Sequence, residues 1–525
     1  MTSGDAGFGE IARAMAEALR ASAGTAPSGA TLQLRHTGGA VSCCAWSDAR
    51  EHLSVDYVPI TELLWDRPPS ALEVRLDAGG YTFTARPDVA TVSPGRLVFD
   101  AEFRYPGHPR PGLPQPAGTE PAAAPTDRAV LAEVTRLTGE FAELYAGIMG
   151  DPPPWPPGRT EADLAAAESR IGVRLPEDLR ALYLIADGDP RESGLLGPYS
   201  HDPLARLVDR YLDGEPGSYG WEDEPDDTGV VFETAPFGHV KRLSRNDWWV
   251  TFGSDCAGNY LLADLDPAER GRAGQVLEYG RDIYGPLRYV SASITAMLTE
   301  VVEALRAGKY EDEGDYLIPE TGLRDEPARS YSEVISNAAD VDLPAHLAGL
   351  PGRELVQEAY LNDARDVDLT VFEPLQSLRS LSVNRADVVT PAIGGLGALE
   401  SLRITAHRVE PAALAGHPVL WDLELEDVGV PLDLTVLRTL PRLTRLSLAG
   451  SAVPDWGPVC ELPALRVLKL DPGQVRGLLA AGHPLPRLAA LFVTGKTTLR
   501  EMSELRTAFG DGDPVTVTEI AGVLT

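Results

Sequence analysis

The chain has 525 residues, 43% of them hydrophobic and 24% charged, which is typical of a soluble protein built from several globular domains of about 100–200 residues each. Its formal net charge is −32, from 78 acidic against 46 basic residues, and this excludes nucleic acid as the expected partner because nucleic-acid binding depends on Lys and Arg. No apolar run reaches the ~18 residues of a membrane span and the N-terminus lacks a secretory pattern, so we expect a cytoplasmic protein without membrane contact.

The first predicted domain covers residues 1–108. Apolar side chains at helical spacing predict an amphipathic helix over residues 8–22, namely Phe8, Ile11, Met15 and Leu19. Strand-like segments follow at residues 30–35, 40–46, 72–76, 80–86 and 96–105. A helix packed on an antiparallel sheet would make this a small α+β domain. Its last segment, LVFDAEFRY, resembles the ending of YezG-like immunity proteins.

Two breaks rich in proline separate this domain from the centre of the chain. Residues 109–126 are a predicted Pro/Ala-rich linker, which cannot bury apolar surface and is expected to stay extended or mobile. Residues 127–157 hold a predicted helix and then the run Pro152-Pro-Pro-Trp-Pro-Pro157. Such a run is typical of a stiff spacer, and the alternative is a ligand for an SH3-type groove.

The stretch WWVTFGSDCAGNYLLADLDP, residues 248–267, predicts a β-hairpin. Two runs of aromatic and apolar residues flank a turn from Gly253 to Asn259, and runs bracketed by Gly, Asp and Asn are typical of paired strands. Neighbours on a strand point to opposite faces, so one of Trp248 and Trp249 should face the core.

Several residues of this hairpin carry a family resemblance. They are Trp249, Asp255, Gly258, Asn259, Asp264, Asp266 and Pro267. In this order they resemble the central signature of the SMI1/KNR4 family (the SUKH superfamily), and segments 171–183, 274–276 and 280–282 are similar to its other motifs. The resemblance covers residues 158–308 and implies an α+β domain. Cys256 and Ala257 depart from it, since a glycine-rich pair is more usual there, and this predicts a stiffer turn.

Two acidic segments belong to this region. The insertion from Glu215 to Thr228 reads EPGSYGWEDEPDDT and predicts an acidic, aromatic loop inside the domain. Residues 309–330 form a second acidic linker. An aromatic side chain ringed by charge is typical of a binding hot spot. The loop is therefore a candidate contact surface through Trp221, Glu222, Asp223, Glu224, Asp226 and Asp227.

The C-terminal part of the chain repeats itself. The frame L-x-x-L-x-L occurs six times between residues 378 and 493, with its middle positions 21, 21, 23, 22 and 23 residues apart. This period predicts a leucine-rich-repeat solenoid over residues 367–510, preceded by a cap at residues 331–366 and followed by a tail at residues 511–525. The Asn or Cys of the usual repeat is missing, so its side-chain ladder should be absent.

In such a stack the residue between the last two frame positions points away from the core. These residues are Ser382, Arg403, Glu424, Ser447, Lys469 and Phe492. Mixed charge with an aromatic favours a protein-binding face, and the alternative is an ordinary solvated surface. The candidate contacts on this face are Arg403, Glu424, Lys469 and Phe492.

The sequence gives only weak indications of a catalytic or metal-binding site. The chain has no G-x-x-x-x-G-K-[ST], H-E-x-x-H or G-x-S-x-G pattern. Ser254 and Asp255 with His239 and His201 make a triad on paper, without support from their spacing. Asp255, Asn259, Asp264 and Asp266 offer oxygen ligands of the kind that Ca²⁺ accepts, although turn and capping roles are favoured. The four cysteines are too few for a disulfide framework. From the absence of these motifs we expect no enzyme activity, bound metal or cofactor.

The sequence as a whole predicts a multidomain α+β protein that binds another protein. The family resemblance implies an immunity protein, since bacterial members include many that bind and neutralise polymorphic toxins. The acidic charge would suit a basic toxin domain. Further candidate contacts are Trp249, Asp255, Asn259 and Tyr260. The alternatives are an intracellular scaffold or regulator, as the family's fungal members are thought to be, and a hydrolase of unknown class; the oligomeric state stays open.

Overall fold

The computed structural model divides the chain into two compact units. The first comprises Met1–Phe103, Val334–Gly349 and Ala359–Thr525, and the second comprises Arg104–Glu333 and Leu350–Glu358. The second unit is therefore inserted into the sequence of the first. The structure describes residues 8–23, 29–36, 41–47, 52–64, 67, 70–77, 80–86, 92–93, 95–214, 229–283, 285–314, 316–321, 331–509 and 518–523. Within these ranges, no helix combines the length and the apolar character needed to cross a membrane.

The N-terminal part of the first unit is a helix packed on an antiparallel sheet. Its elements are α1 (Gly9–Ala23), β1 (Ala30–His36), β2 (Val41–Ser47), α2 (Val58–Leu64), β3 (Ser70–Leu76), β4 (Tyr81–Arg86), β5 (Val92–Ser93) and β6 (Arg96–Val98). The first four strands have the order β2-β1-β3-β4. Ile11, Met15 and Leu19 bury one face of α1, as their helical spacing predicts. The strand predicted over residues 96–105 is shorter, and α2 has no counterpart in the sequence reading.

The second unit is an α+β domain built on a five-stranded antiparallel sheet. Its elements are α3 (Arg128–Met149), α4 (Glu161–Ile171), α5 (Glu177–Ile185), β7 (Ser200–His201), α6 (Leu204–Asp213), β8 (Trp249–Ser254), β9 (Asn259–Asp264), β10 (Gln275–Gly280), β11 (Arg288–Ser291), α7 (Ile294–Arg306), β12 (Tyr310–Asp312) and β13 (Leu317–Pro319). The sheet order is β11-β10-β9-β8-β7. One core joins Phe252 and Val276 of the sheet to Phe141 of α3 and Leu298 of α7, so α3 is an integral part of the fold.

Residues 109–126, predicted as a mobile linker, are attached to the second unit. The backbone N–H groups of Gly112 and Leu113 donate to Asp247 Oδ2 at 2.6 and 2.7 Å. Arg174 Nη1 donates to two carbonyl oxygens of this segment, both at 3.1 Å. Side chains of the domain thus satisfy the backbone of a segment that has no secondary structure of its own. Local composition could not reveal this, because the partners are distant in sequence.

The proline run after α3 is also fixed on the second unit. Trp155 donates from Nε1 to Ser193 Oγ at 3.1 Å, and its ring stacks on Phe141 with the centroids 5.7 Å apart. The tryptophan therefore anchors a run that the sequence reading treats as a spacer.

The C-terminal part of the first unit is a stack of parallel strands. Its strands and helices are β14 (Ser332–Ile335), α8 (Leu343–Gly349), β15 (Glu358–Asn362), β16 (Asp366–Asp368), β17 (Ser380–Thr390), β18 (Ser401–Val409), β19 (Asp422–Glu426), β20 (Arg445–Ser447), α9 (Gly457–Cys460), β21 (Val467–Leu470), α10 (Pro472–Ala480), β22 (Ala490–Val493), α11 (Leu499–Phe509) and β23 (Thr518–Gly522). Short 3-10 helices lie at Ala338–Asp340, Arg353–Leu355, Leu369–Phe372, Pro411–Leu414 and Thr435–Thr439.

Strands β17 to β22 pair in parallel in the order of the chain. Their register aligns the middle leucine of every sequence frame in one buried row, formed by Leu381, Leu402, Leu423, Leu446, Leu468 and Leu491. The pairing thus follows the 21-to-23-residue frame of the sequence. The assignment of this stack to leucine-rich repeats stays a prediction.

The two ends of the chain complete each other's sheets within the first unit. β6 pairs antiparallel with β22, the last parallel strand, and β23 pairs antiparallel with β4. These pairings differ from the sequence reading, which places the strand after residue 96 in an N-terminal domain ending at residue 108 and leaves residues 511–525 as a tail. The physical reason for both pairings is that each added strand covers a sheet edge that would otherwise be open.

Candidate functional site

The turn between β8 and β9 is built around one carboxylate. Asp255 Oδ1 accepts hydrogen bonds from the backbone N–H groups of Ala257 and Asn259 at 2.8 and 2.9 Å. Its Oδ2 accepts from Asn259 Nδ2 at 2.6 Å. Asp is common in turns because its short side chain reaches nearby backbone, and here one side chain closes the whole turn.

Asn259 joins this turn to the one that follows β10. Its Nδ2 also donates to Asp282 Oδ2 at 2.9 Å, and its Oδ1 accepts from the backbone N–H of Asp282 at 3.1 Å. Gly280 is paired with Asn259 in the β9–β10 register, and a Cβ on Gly280 would overlap the Asn259 side chain. The asparagine therefore fits because glycine leaves room for it.

Two residues of the turn adopt a positive φ. Gly258 has φ +110° and Cys256 has φ +58°. The second value carries some strain for a residue with a side chain, since the left-handed region favours glycine. The exposed Cys256 thus lies in the position where the sequence departs from the glycine-rich pattern.

The Asp255 carboxylate is engaged by the turn itself. Partial burial raises its pKa, but the hydrogen bonds from Asn259 and from the turn backbone outweigh burial and lower the pKa below its ordinary value. The group is an ionised acceptor at neutral pH with its described donors inside the turn. Its geometry suits holding a loop rigid rather than moving a proton.

The side chains considered for Ca²⁺ do not converge. Asp264 is fully buried, and it accepts from the backbone N–H of Asp266 at 2.9 Å and from Gln275 Nε2 at 2.8 Å. Asp266 pairs with Lys241, with 2.5 Å between Nζ and Oδ1. In the described part of the chain, no group of three or more His, Cys, Asp or Glu side chains could hold a metal ion.

Trp249, a predicted partner contact, lies in the interior. It is 1% exposed and packs with Leu262 and Leu277 in a small core on the opposite face of the sheet from Phe252. Its neighbour Trp248 is half-buried at the edge of the main core. The alternation expected along this strand accounts for both positions, and Trp249 has no surface to offer a partner.

Tyr260 gives the site an aromatic side chain that reaches solvent. It is half-buried, and its ring stacks on Tyr279 with the centroids 5.1 Å apart. The Arg210 guanidinium lies 4.6 Å from the ring centroid, a cation–π arrangement that holds the ring in place. Together with Asp255, Cys256, Ala257 and Asp282 it forms what we call the turn surface.

The acidic loop predicted as a contact surface lies outside the described residues. This applies to Trp221, Glu222, Asp223, Glu224, Asp226 and Asp227. Of the candidate contacts in the second unit, Asp255 and Tyr260 therefore remain as described members of the turn surface. Asn259 is 7% exposed and bonded inside the turn.

The four candidate contacts of the repeat face occupy one row. The parallel register places Arg403, Glu424, Lys469 and Phe492 on the same line across the sheet, as the frame predicts. Their exposure differs, however. Glu424 is 2% exposed and Phe492 is 7% exposed, whereas the Arg403 side chain retains 48% of its surface.

A network of ion pairs explains the burial of Glu424. Arg403 donates to both of its carboxylate oxygens, at 2.6 and 3.1 Å, and Arg445 bonds to Glu424 and to Asp422. Burial raises the pKa of Glu424, but the two arginines outweigh it and lower the pKa to about 2. Lys469 pairs with Glu426 at 2.9 Å. The sequence predicts outward-facing charges here and could not predict that they neutralise each other.

The second unit also buries one of the two histidines considered for the triad. His201 is 1% exposed, its ring lies 4.5 Å from that of Tyr183, and neither ring nitrogen has a hydrogen-bond partner among the described residues. Burial lowers its pKa to about 3, although the charge of Asp187 opposes this. The lack of a partner also excludes a hydrogen bond to Ser254 in the triad considered from the sequence.

The locked turn, the buried tryptophan and the paired strands around them lie inside a segment with a recognisable pattern. Residues 158–300 match the SMI1/KNR4 family (SUKH-1). The resemblance read from the sequence is confirmed for this segment, which we call the SMI1/KNR4 domain. The match starts after α3, whereas the compact unit begins at Arg104.

Two curated relatives are similar to part of this chain. A protein named "KNR4/SMI1 homolog" from Yarrowia lipolytica is 31% identical over 84 residues, which is 16% of this chain and 12% of the relative. A "Glucan synthesis regulatory protein" from Neurospora crassa is 30% identical over 107 residues, 20% of each chain. The chain thus spans a fifth or less of the length of these relatives.

Proposed function

We propose that this chain is a non-enzymatic protein that binds another protein through preformed surfaces. The observation that carries the proposal is the β8–β9 turn, in which Asp255 and Asn259 use their polar atoms to hold the loop. A loop fixed in this way loses little conformational entropy when a partner binds. Tyr260, held against Tyr279 and Arg210, would be the aromatic anchor of the turn surface.

The parallel stack of the first unit would be a second binding element of the leucine-rich-repeat type. Six frames in register and a buried leucine row support this assignment. Because Glu424, Asp422 and Arg445 are paired with one another, charge would contribute little to binding at the centre of this face. Contact would depend on the side chains that retain exposure, such as Arg403 and Lys469.

The specific role we favour is that of an immunity protein that binds and neutralises a polymorphic toxin. The charge supports it: residues 160–310 contain 27 acidic and 15 basic side chains, and the chain as a whole carries −32. A basic toxin domain would be attracted over long range by such a protein, and its association would slow as salt screens the charges.

A second candidate role is that of a regulatory or scaffold protein. The observation in its favour is the similarity to the Neurospora relative, a glucan synthesis regulatory protein that is 30% identical to this chain over 107 residues. In this role the SMI1/KNR4 domain and the parallel stack would recruit different proteins.

Affinity purification of the full chain from its source cell tests the binding function. The variant is Tyr260→Ala, and the control is Tyr316→Ala, which removes a solvent-exposed tyrosine elsewhere in the second unit. We expect a stoichiometric protein partner at low salt, retained by Tyr316→Ala and reduced at least tenfold by Tyr260→Ala, as for a hot-spot residue. Absence of a partner, or equal recovery with both variants, contradicts the proposal.

The identity of the partner separates the two roles. For an immunity protein, the captured protein arrests growth when expressed alone, and coexpression of this chain restores growth. For a regulator, the captured protein is not toxic, and its own activity changes when this chain is removed.

A further inference from the structure

β23 completes the N-terminal sheet by adding a strand to the outer edge of β4. The pairing is antiparallel over five positions, from Thr518 opposite Ala85 to Gly522 opposite Tyr81. The inner edge of β4 is paired with β3. Without β23, the backbone N–H and C=O groups along the outer edge of β4 would be open, and an open edge recruits other strands.

β23 is held mainly through its backbone. None of the side chains described at residues 519–522 is buried, and Ile520 packs only partly against the N-terminal core. Glu519 and Arg500 form an ion pair at 2.6 Å between two exposed side chains, and an exposed pair of this kind contributes little to stability. Phe83 of β4, by contrast, is fully buried. β23 should therefore open at a lower free energy than the sheet to which it is attached.

The edge of β4 is shaped for this particular strand. A Cβ on Gly522 would overlap the ring of Tyr81, and a Cβ on Gly80 would overlap the carbonyl oxygen of Gly522. Both positions need glycine for the backbones to approach. A strand of unrelated sequence would clash in this register, whereas the same strand from another copy would fit.

We propose that β23 is an exchangeable strap, and that the outer edge of β4 accepts β23 from a second copy of this chain. Eight residues connect α11 to β23. A short connection of this kind gives the strap an effective concentration in the mM range at its own sheet. Docking of a strap on a second copy therefore competes with docking on its own sheet at hundreds of micromolar protein. At a few micromolar, docking on a second copy is rare. The exchanged dimer keeps the contacts of the closed form and needs no new interface.

The test uses two full-length chains, one carrying Thr82→Cys and the other Ala521→Cys, in a background where the four natural cysteines are serine. These two positions face each other in the register. The two sulfurs are held next to each other when the strap of one copy sits on the sheet of the other. We expect a cross-linked dimer on non-reducing gels at about 500 µM protein and at least tenfold less at about 5 µM.

Three controls make the result decisive. A chain with both substitutions should form the disulfide internally at low concentration, which reports the closed form. Thr82→Cys mixed with Glu519→Cys places the sulfurs out of register, since Glu519 faces Thr84. Gly522→Val, added to the Ala521→Cys chain, blocks docking of the strap through the clash with Tyr81, and circular dichroism checks that this chain is folded.

The proposal stands if the in-register mixture gives the dimer and both the out-of-register pair and Gly522→Val suppress it. It is overturned if the double-cysteine chain closes internally while the mixture gives no dimer at high concentration. Equal dimer yields from all three mixtures also overturn it, because they would report random collision.

Discussion

His201 is a neutral imidazole buried without a hydrogen-bond partner among the described residues, and this makes the stability of the second unit depend on pH. Burial lowers its pKa from the ordinary 6.5 to about 3. Below pH 6.5 the unfolded chain therefore binds a proton that the folded chain does not. The stabilisation is fully present above pH 6.5 and is lost as the pH falls, by about 1.4 kcal/mol per pH unit.

Replacing this histidine should remove that dependence. In His201→Phe the ring can still pack on Tyr183, so the free energy of unfolding should change by about 2 kcal/mol less between pH 7 and pH 5 than in the unaltered chain. Urea unfolding of residues 104–333 at the two pH values measures the difference. His239→Phe is the matched control, since that ring is not buried. Parallel pH profiles for His201→Phe and the unaltered protein would show that His201 is not the titrating group.

At the scale of strands, the ion network across β18, β19 and β20 is the feature most sensitive to substitution. Asp422, Glu424 and Arg445 are each at least 94% buried, and breaking a buried pair leaves an uncompensated charge. Arg445→Met should lower the free energy of unfolding by about 3 kcal/mol. The half-exposed Arg403 is the matched control, and Arg403→Met should cost about 1 kcal/mol.

Calorimetry of thermal unfolding of the first unit measures the loss of stability in the two variants. The lowered pKa of Glu424 adds a pH dependence: its stabilisation is present above the ordinary value of 4.5 and is lost as the pH falls towards 2. Arg445→Met should therefore differ less from the unaltered protein at pH 3 than at pH 7. A similar cost for Arg403→Met and Arg445→Met would contradict the network as described.

The folded unit extends beyond the SMI1/KNR4 match on both sides, and α3 is a whole helix that the match leaves out. α3 lies before residue 158, yet its Val134, Leu137 and Phe141 are at most 2% exposed in the shared core. Each such side chain contributes about 1.5–3 kcal/mol when buried, so residues 158–300 alone should lose most of the stability of a small domain. We expect residues 104–333 to give a dispersed amide NMR spectrum and residues 158–300 to give a collapsed one. Equal dispersion would place α3 outside the cooperative unit.

For the whole molecule, the N-terminal segment supplies the strand that covers the edge of the parallel sheet. β6 pairs with β22. Just after β6, Asp100 Oδ2 accepts a hydrogen bond from Arg466 Nη2 at 2.5 Å. Removing residues 1–103 would expose β22 along its length, and an open edge of a parallel sheet promotes aggregation. We expect that deletion to give insoluble or high-order material by light scattering. A soluble monomer with an unchanged melting temperature would contradict this role.

Periodic and local features were accessible from the sequence, and long-range pairings were not. Helical spacing located α1, the leucine frame located the strands of the parallel stack, and the Asp and Asn of the β8–β9 turn were favoured as turn residues. The partner of Asn259 is 23 residues away at Asp282, so no local pattern could reveal that bond. The burial of Glu424 depends on arginines 21 residues before and after it, and the pairing of β23 with β4 joins segments more than 400 residues apart.

The joining of the two ends also constrains how the protein is made. Synthesis proceeds at about 5–20 residues per second, so the edges of β4 and β6 emerge from the ribosome tens of seconds before β22 and β23 exist. The inserted unit is complete by then and can fold while the edges of β4 and β6 that bind β23 and β22 are still open. Chaperone occupancy during translation should accordingly concentrate on the first hundred residues and end only when β22 and β23 have been synthesised.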